Sequence, residues 1–524
     1  MRKTLLVSTA VLLLGASPVC AATPLTAEDM QKQIDMLNAK IDSLSNVVKS
    51  QQQIISSLQS QAEVHPSIQQ DETSKILRAP ASIPSTVANS SPPSIDKEND
   101  KIKVTVGGFV ESAGIYRSRN EAADVGSSFN TGIAFPNQAL YHEHEFRGSA
   151  RQSRLSLLTE GNATPDMKLG AYFEGDFLGA APTSNSLESN SYTPRLRQAY
   201  VSIDRSDWGM HFLTGQAWSL ATLYHSGLSP RQENLPLTID AQYVPGFNWT
   251  RNWQARAVKD FDTKKIALGM SIEGPQANIY SGPNAPSGIT NFSNGGGSGY
   301  VSTVNYSDDI APDVIVKLAA DPGLGHYEVY GLGRFITDRS FGQNNTIFAG
   351  GVGGGAVLPI IDKKLDVQVS VLAGRGVGRY GSAQLPDATI KPNGSLSPID
   401  EFETLVGVVG HPNPAWDIYV YGGTERARRN DFVSGGKGFG YGSPLYNNAG
   451  CSVEGDIAAT CVANTSAITQ VTGGAWWKFY QGNMGLMKVG LQNSYTWRNI
   501  FAGVGGNPST NDDITMVSFR YYPF

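Results

Sequence analysis

The feature that most constrains this chain is an alternation of apolar and polar residues that recurs throughout residues 101–524. In one such segment Met487 and Val489 alternate with Lys488 and Gly490. Because successive side chains of a strand point to opposite faces of a sheet, this pattern predicts half-buried β-strands. We predict strands near residues 101–116, 151–160, 167–178, 195–204, 208–216, 250–260, 264–273, 313–320, 325–337, 347–358, 365–379, 401–410, 416–426, 468–480, 485–498 and 511–524.

The connections between these segments alternate in length. Short turns, such as 161–166 and 205–207, alternate with long polar loops, such as 276–309 and 427–466. Short turns at one end, long loops at the other and an even strand number are typical of outer-membrane barrels. The sequence therefore predicts an all-β fold, a transmembrane antiparallel β-barrel of about 16 strands. A soluble β protein with the same alternation is the alternative.

Composition excludes several other classes of protein. The 524 residues carry a formal net charge of −5, so a basic nucleic-acid-binding surface is not indicated. The 57 glycines have no three-residue period, which excludes collagen. After the N-terminus no apolar run reaches the roughly 18 residues of a transmembrane helix, which excludes a helical membrane protein.

The N-terminus indicates export. Arg2 and Lys3 precede an apolar stretch at 5–14 and small residues, which predicts a signal peptide over 1–22. An exported chain folds in an oxidising compartment, where disulfides form. Cys20 leaves a lipoprotein as a weaker alternative.

A heptad repeat follows over residues 23–62. Its seam predicts a coiled-coil oligomerisation helix, because apolar residues alternate at spacings of four and three. A single amphipathic helix packed on a domain is the alternative. β-Branched residues at one seam position and Leu at the other favour a parallel dimer but leave the oligomer number open. Residues 63–100 are rich in Ser and Pro and predict a flexible linker. The seam residues are Ile34, Leu37, Ile41, Leu44, Val48, Ile55 and Leu58.

Little in the sequence indicates catalysis or metal binding. Cys451 and Cys461 lie in one long loop, and in an oxidising compartment they predict a structural disulfide. His142 and His144 are two residues apart, and on a strand face they would give at most a two-ligand metal site. No histidine is singled out as a base beside a nucleophile, so we expect no enzyme and no cofactor. An outer-membrane barrel enzyme is kept as an alternative.

Several motifs resemble the DcaP-like trimeric porins of Gram-negative bacteria. They are RYYPF at 520–524, RLRQAY at 195–200 and GQAWS at 215–219, in a chain with an exported coiled coil, a linker and a barrel. The resemblance implies a homotrimer in the outer membrane with the coiled coil in the periplasm, although the heptad alone favours a dimer. It also implies uptake of small anionic solutes such as dicarboxylates. Outer-membrane lipid and peptidoglycan are further expected partners, and nucleic acid is not.

A sixteen-stranded lumen needs a narrowing to be selective. We predict that the long connection 217–249, between the fifth and sixth strands, folds into the lumen, because a long loop without regular structure is usually functional. Its constriction residues are predicted to be Tyr224, His225, Glu233 and Asp240.

Arginines are predicted to form the opposing side of the pore, because guanidinium groups stay charged and bind carboxylates bidentately. The alternative is that individual arginines face a subunit interface or pair with Glu160, Glu174 and Asp176 in the barrel wall. The prediction is a channel for passive uptake of small solutes that prefers anions. A phosphate-selective porin and a general diffusion porin are alternatives, although the loop has one Arg and no Lys. The predicted pore arginines are Arg151, Arg154, Arg195, Arg197, Arg231, Arg251 and Arg256.

Overall fold

The computed structural model describes residues 94–96, 102–130, 132–179, 193–261, 265–287, 289, 292–293, 306–454 and 460–524. The chain divides into two units, Met1–Val87 and Ala88–Phe524, and the described residues all belong to the second. The predicted signal peptide, the coiled coil with its seven seam residues and most of the predicted linker lie outside the described residues.

Sixteen antiparallel strands form a closed barrel in which each strand pairs with its neighbours in sequence. The last strand pairs with the first from Val110 opposite Tyr521 to Arg117 opposite Ile514. Closure removes free strand edges, so every backbone ladder is completed within the wall. The strands are β1 Lys103–Arg117, β2 Arg154–Thr164, β3 Met167–Gly179, β4 Thr193–Arg205, β5 Met210–Trp218, β6 Arg251–Phe261, β7 Ile266–Glu273, β8 Asp313–Gly323, β9 Gly325–Ser340, β10 Gln343–Ile361, β11 Leu365–Arg375, β12 Asp400–Asn413, β13 Trp416–Ala427, β14 Thr465–Gly482, β15 Gly485–Ile500 and β16 Ser509–Tyr522.

The main sheet contains 18 strands, because two short strands join these sixteen. Ser94–Asp96 pairs with the start of β1, and Glu145–Ser149 pairs with its end. The wall beside β1 is thus made by Glu145–Ser149 and then by β2, with an irregular interruption at 150–153. The prediction of a barrel is confirmed, and each predicted strand coincides with one of the sixteen within a few residues.

The two faces of the wall differ as the alternation predicts. Val110 is 61% exposed on the outer face, whereas the next residue, Glu111, is 1% exposed on the inner face. Large apolar side chains such as Leu157 and Phe173 likewise point outward. Near the short turns the outer face carries aromatic rings, and Trp416 on β13 stacks on its β14 neighbour with ring centroids 6.1 Å apart. An apolar band with aromatic rings at its border is typical of a lipid-facing barrel.

Short turns and long connections alternate around the barrel. β8 and β9, for example, are joined by Leu324 alone, whereas β5 and β6 are joined by residues 219–250. The turn between β9 and β10 departs from this rule, because Phe341 and Gly342 alone connect them. Further short elements lie in the long connections: the helix Ala139–His142, the 3-10 helix Gly378–Tyr380, and the strands Ile279–Tyr280, Phe292–Ser293, Tyr306–Ser307, Ala388–Ile390, Leu396–Pro398, Asn430–Ser434 and Lys437–Tyr441. Within the described part of the chain, no helix is long and apolar enough to cross a membrane.

Candidate pore constriction

The connection between β5 and β6, residues 219–250, lies inside the barrel and is called the constriction loop below. Leu220 N–H donates to Glu273 Oε1 on β7 at 2.8 Å, and Ile239 N–H donates to Gln492 Oε1 on β15 at 2.6 Å. β7 and β15 are eight strands apart, so they stand on opposite sides of the barrel. The constriction loop therefore spans the lumen and narrows it.

Glycines in the wall and in the loop permit a close approach between them. A Cβ atom at Gly423 on β13 would lie 1.8 Å from the carbonyl oxygen of Pro245. Gly246 has φ +82°, a conformation that side chains disfavour, and its own Cβ would lie 2.0 Å from Thr404 O. These glycines allow the constriction loop to lie directly on β12 and β13.

The tip of the constriction loop is held by charged groups of β8 and β9. Lys317 Nζ lies 2.7 Å from Glu328 Oε2, and His326 bridges Glu328 and Asp321 at 3.0 and 2.8 Å. Asp321 also accepts the N–H of Gly227, in the tip of the loop, at 2.9 Å. This chain of hydrogen bonds fixes the tip close to the short-turn end of the barrel.

Two of the four predicted constriction residues fix the loop rather than face water. Tyr224 is fully buried and accepts a hydrogen bond from Arg256 Nη1 at 2.5 Å. Asp240 is buried, and its carboxylate accepts hydrogen bonds from the Ser127 hydroxyl and the Gln242 N–H. Burial raises the pKa of Asp240, and these hydrogen bonds oppose that rise.

The other two predicted constriction residues lie between these anchors. His225 is exposed inside the barrel, and its backbone N–H donates to Gln232 O at 3.0 Å. Glu233 is partly buried, and burial raises its pKa. Both residues therefore lie on the constriction loop, but of the two only His225 has a solvent-exposed side chain.

Four arginines meet on the opposite side of the lumen and form what we call the arginine wall: Arg154, Arg195, Arg197 and Arg251. A bulge leaves Arg197 of β4 unpaired, since Glu174 pairs with Gln198 and Gly175 pairs with Leu196. Leu196 then points outward, while Arg195 and Arg197 both point inward.

Two carboxylates of β3 partly neutralise the arginine wall. Arg195 Nη2 and Arg197 Nη1 lie 2.7 and 3.0 Å from Asp176 Oδ2, and Arg197 Nε lies 2.6 Å from Glu174 Oε1. Arg154 Nη1 is 3.8 Å from Glu174 Oε2. Four positive charges therefore face two negative ones. The alternative interpretation of the sequence, pairing with Glu174 and Asp176, occurs together with the predicted inward orientation.

Arg251 and Arg256, both on β6, have different surroundings. Arg251 stacks over Trp218 and Trp249, with its guanidinium carbon 4.6 and 5.1 Å from the ring centroids. Within the described residues it forms no hydrogen bond or ion pair, and its charge is repelled by those of Arg195 and Arg197. Arg256 is buried and donates to Tyr224, Gln254 and a backbone carbonyl. Arg256 therefore anchors the constriction loop.

The two remaining predicted arginines lie on either side of the arginine wall. Arg151 is in the irregular segment before β2, 3.1 Å from Asp124. Arg231, in the constriction loop, is half-exposed and 3.4 Å from Glu160 Oε1. It lines a cavity of about 390 Å³ near the short-turn end, together with Lys168.

A second inward loop, residues 376–399 between β11 and β12, was not predicted. It contacts the constriction loop, where Trp249 N–H donates to Tyr380 O at 2.8 Å. Arg334 of β9 holds it by donating to Gly376 O and to Asp387 Oδ1, each at 2.7 Å. The second inward loop places a further arginine, Arg379, in the lumen.

Three glutamates of the β12–β13 wall are buried beneath these two loops. Glu425 accepts the N–H groups of Gly246 and Ala383 at 2.8 and 2.9 Å. Glu401 accepts two N–H groups of the second inward loop at 2.6 Å each, and Glu403 accepts an Asn248 side-chain N–H at 2.7 Å. The loops thus cover the acidic side of the lumen. Acidic residues at positions 401, 403 and 425, all inward in their predicted strands, could have signalled this.

The described residues give no metal site, because they contain no group of three or more His, Cys, Asp or Glu side chains that could hold an ion. The predicted disulfide between Cys451 and Cys461 is present, with Cα atoms 4.8 Å apart.

Comparison with known proteins gives a match only in structure. No protein-family model and no curated sequence matches the chain. The outer membrane channel DcaP of Acinetobacter baumannii superposes with a TM-score of 0.56 at 16% identity, over 81% of this chain and 99% of that one. The barrel has the fold of DcaP. The resemblance inferred from the sequence motifs is confirmed at the level of the fold.

Other solved porins are more distant. The anion-selective porin from Comamonas acidovorans covers 80% of this chain and 100% of its own, at 10% identity and a TM-score of 0.44. Salmonella typhi OmpF in complex with daunomycin covers 82% and 100%, at 9% identity and a TM-score of 0.44.

Proposed function

We propose that this protein is an outer-membrane porin, a water-filled channel that prefers anions and admits small solutes such as dicarboxylates. The observation that carries the proposal is the asymmetry of the lumen. The arginine wall carries four positive charges against two negative ones, whereas the glutamates of the opposite wall are covered by the two inward loops. A solute crossing the lumen therefore meets positive charge.

The apolar outer face supports a membrane location, since Val201, Val329 and Leu491 would otherwise expose large apolar surfaces to water. We extend the proposal to the predicted architecture: export by the signal peptide, a homotrimer, and a periplasmic coiled coil that is available to bind peptidoglycan. The shared fold with a protein described as an outer membrane channel is consistent with this location.

The mechanism follows from the chemistry of the guanidinium group. It remains charged at any physiological pH and offers two parallel N–H donors to a carboxylate. In a narrow lumen, charges of one sign raise the local concentration of the opposite ion. Arg154, Arg195 and Arg251 are only partly buried, so their donors are placed to meet a passing carboxylate.

A phosphate-selective porin is the second candidate, because the same guanidinium groups bind phosphate. An enzymatic function receives no support from the histidine contacts. His211, His326 and His411 each hydrogen-bond carboxylates, at 2.7 to 3.0 Å, and in the described residues no serine or cysteine side chain joins these pairs.

Current blockade by anions tests the proposal and separates the two candidates. In a planar bilayer we expect succinate to block the channel at lower concentration than acetate or inorganic phosphate, because it presents two carboxylates to the arginine wall. Tighter block by phosphate would favour the phosphate-selective candidate. Equal block by all three would contradict a selective path and favour a general diffusion porin.

A further inference from the structure

A second cavity lies at the long-loop end of the barrel, beside the constriction. Its volume is about 520 Å³, and it is lined by the last residues of the constriction loop, the start of β6, the residues that follow β7 and the second inward loop. Arg251 and Arg379 both line it, with the amide side chains of Asn252, Asn278 and Gln384. We propose that this cavity, the vestibule site, binds a small carboxylate before it enters the constriction. The inference rests on the proposed porin function.

The Arg379 guanidinium donates its hydrogen bonds to neutral acceptors. Its guanidinium donates to Gln276 O at 2.7 Å, to Asn252 Oδ1 at 3.1 Å and to Gly274 O at 3.4 Å. The nearest carboxylate oxygen, on Asp313, is 4.0 Å away. That carboxylate already accepts a hydrogen bond from Tyr380 and pairs with an arginine of β9. Arg334 and Arg379 therefore face two carboxylates, those of Asp313 and Asp387. Because Arg251 forms no ion pair within the described residues, the vestibule site keeps a net positive charge.

The vestibule site is preorganised by buried ion pairs. Arg334, which is 1% exposed, contacts both Asp313 and Asp387. Asp387 also accepts the backbone N–H groups of Asn278 and Arg379, at 2.7 and 3.1 Å. These contacts fix both sides of the cavity, so a ligand would not have to order them on binding.

The remaining lining selects the ligand class. Gln384 is exposed, and Asn278 donates only one described side-chain hydrogen bond, to Gln384 O at 2.9 Å. Amide groups with free hydrogen-bonding capacity favour hydroxyl or carbonyl groups on the ligand. The expected ligand is therefore a polar carboxylate, such as a hydroxycarboxylate. Because Arg251 belongs also to the arginine wall, release from the vestibule site leads directly into the constriction.

The test is blockade of the full-length channel by tartrate added at the long-loop side. In the Arg379→Gln variant we expect the half-blocking concentration to rise about tenfold, because a charge-assisted hydrogen bond is lost. Arg379→Lys, which keeps the charge, should retain most of the block. Gln384→Ala should weaken block by tartrate and leave block by propionate unchanged, and it removes no contact that holds the loop.

Arg375→Gln is the matched control, since Arg375 lies beside the same loop but is 63% exposed and paired with Asp400. It should leave the block unchanged. An anion-selective channel whose tartrate block is insensitive to both Arg379→Gln and Gln384→Ala would overturn the vestibule site and leave the porin intact. A wild-type channel that is not anion-selective would instead overturn the proposed function on which the site rests.

Discussion

At the scale of single residues, the bulge at Arg197 determines how the charges of the pore are arranged. A regular β4 would alternate throughout, whereas here Arg197 and Gln198 are both buried inside the barrel. Arg197 contacts two carboxylates, Glu174 and Asp176, within 3.0 Å. Arg197 therefore contributes both to the positive charge of the pore and to the stability of the barrel wall, and its replacement should affect both properties.

We predict that Arg197→Met destabilises the barrel by about 3 kcal/mol, because it leaves a buried carboxylate without its closest partner. Thermal unfolding in detergent should show this loss. Arg205→Met is the control, because Arg205 pairs with Asp207 at the rim of a short turn and its loss should change little. An Arg197→Met barrel as stable as the wild type would contradict the buried ion pairs.

A second residue-scale prediction concerns Glu121, in the loop after β1. Burial raises its pKa to about 8, despite the opposing charge of Arg117 at 3.3 Å. Between its ordinary pKa of 4.5 and about 8, the folded loop holds a proton that the opened loop releases. The stability of the folded loop therefore falls as the pH rises through this range. The equilibrium constant for opening of the loop increases by up to about tenfold per pH unit.

Hydrogen exchange of the Ser128 amide, which donates to Glu121 at 2.9 Å, measures this opening. After correction for the intrinsic exchange rate, protection should decrease from pH 6 to pH 8. Glu121→Gln should remove the pH dependence. Protection that does not change between pH 6 and pH 8 would contradict the prediction, because it would show that the carboxylate is already ionised in the folded loop.

At the scale of elements, the strands were predictable and the inward loops only partly so. A strand shows its two faces in the local sequence, because its side chains alternate with a period of two. The constriction loop was recognisable by its length and position. The second inward loop was not, because its course depends on distant partners such as Arg334 and Glu401.

The candidate site was predictable to a similar extent. Arg195 and Arg197 share one face, as their spacing of two indicates, but only the bulge turns that face inward. The burial of Arg256 beneath the constriction loop likewise follows from its hydrogen bond to Tyr224, 32 positions earlier in the chain. The structural role of Asp240 likewise depends on Ser127, in another loop. Local patterns predict the face on which a side chain lies, and tertiary contacts decide whether it meets water.

The close contact between the constriction loop and β13 gives a prediction at the scale of elements. Gly423→Ala places a methyl group against the Pro245 carbonyl and should displace the loop, at a cost of about 1–3 kcal/mol. Single-channel recordings should then show a larger and noisier conductance. Gly422→Ala is the matched control, because a Cβ there meets nothing within 4 Å. Identical recordings from the two variants would contradict this contact between the constriction loop and β13.

At the scale of the whole molecule, a chain with net charge −5 is proposed to attract anions. The explanation is the distribution of charge and not its sum. Acidic residues of β12 and β13 are buried by the inward loops, while the arginine wall remains partly open. The field along the lumen is therefore set by a few positioned guanidinium groups.

The most direct test of this account is the reversal potential of the purified protein in a planar bilayer under a tenfold KCl gradient. We expect anion selectivity for the wild type and a shift towards cation selectivity when Arg195 and Arg197 are both changed to Glu. Arg375→Glu, on the outer face, should leave the reversal potential unchanged. Cation selectivity in the wild type, or a reversal potential that the double variant does not move, would contradict it.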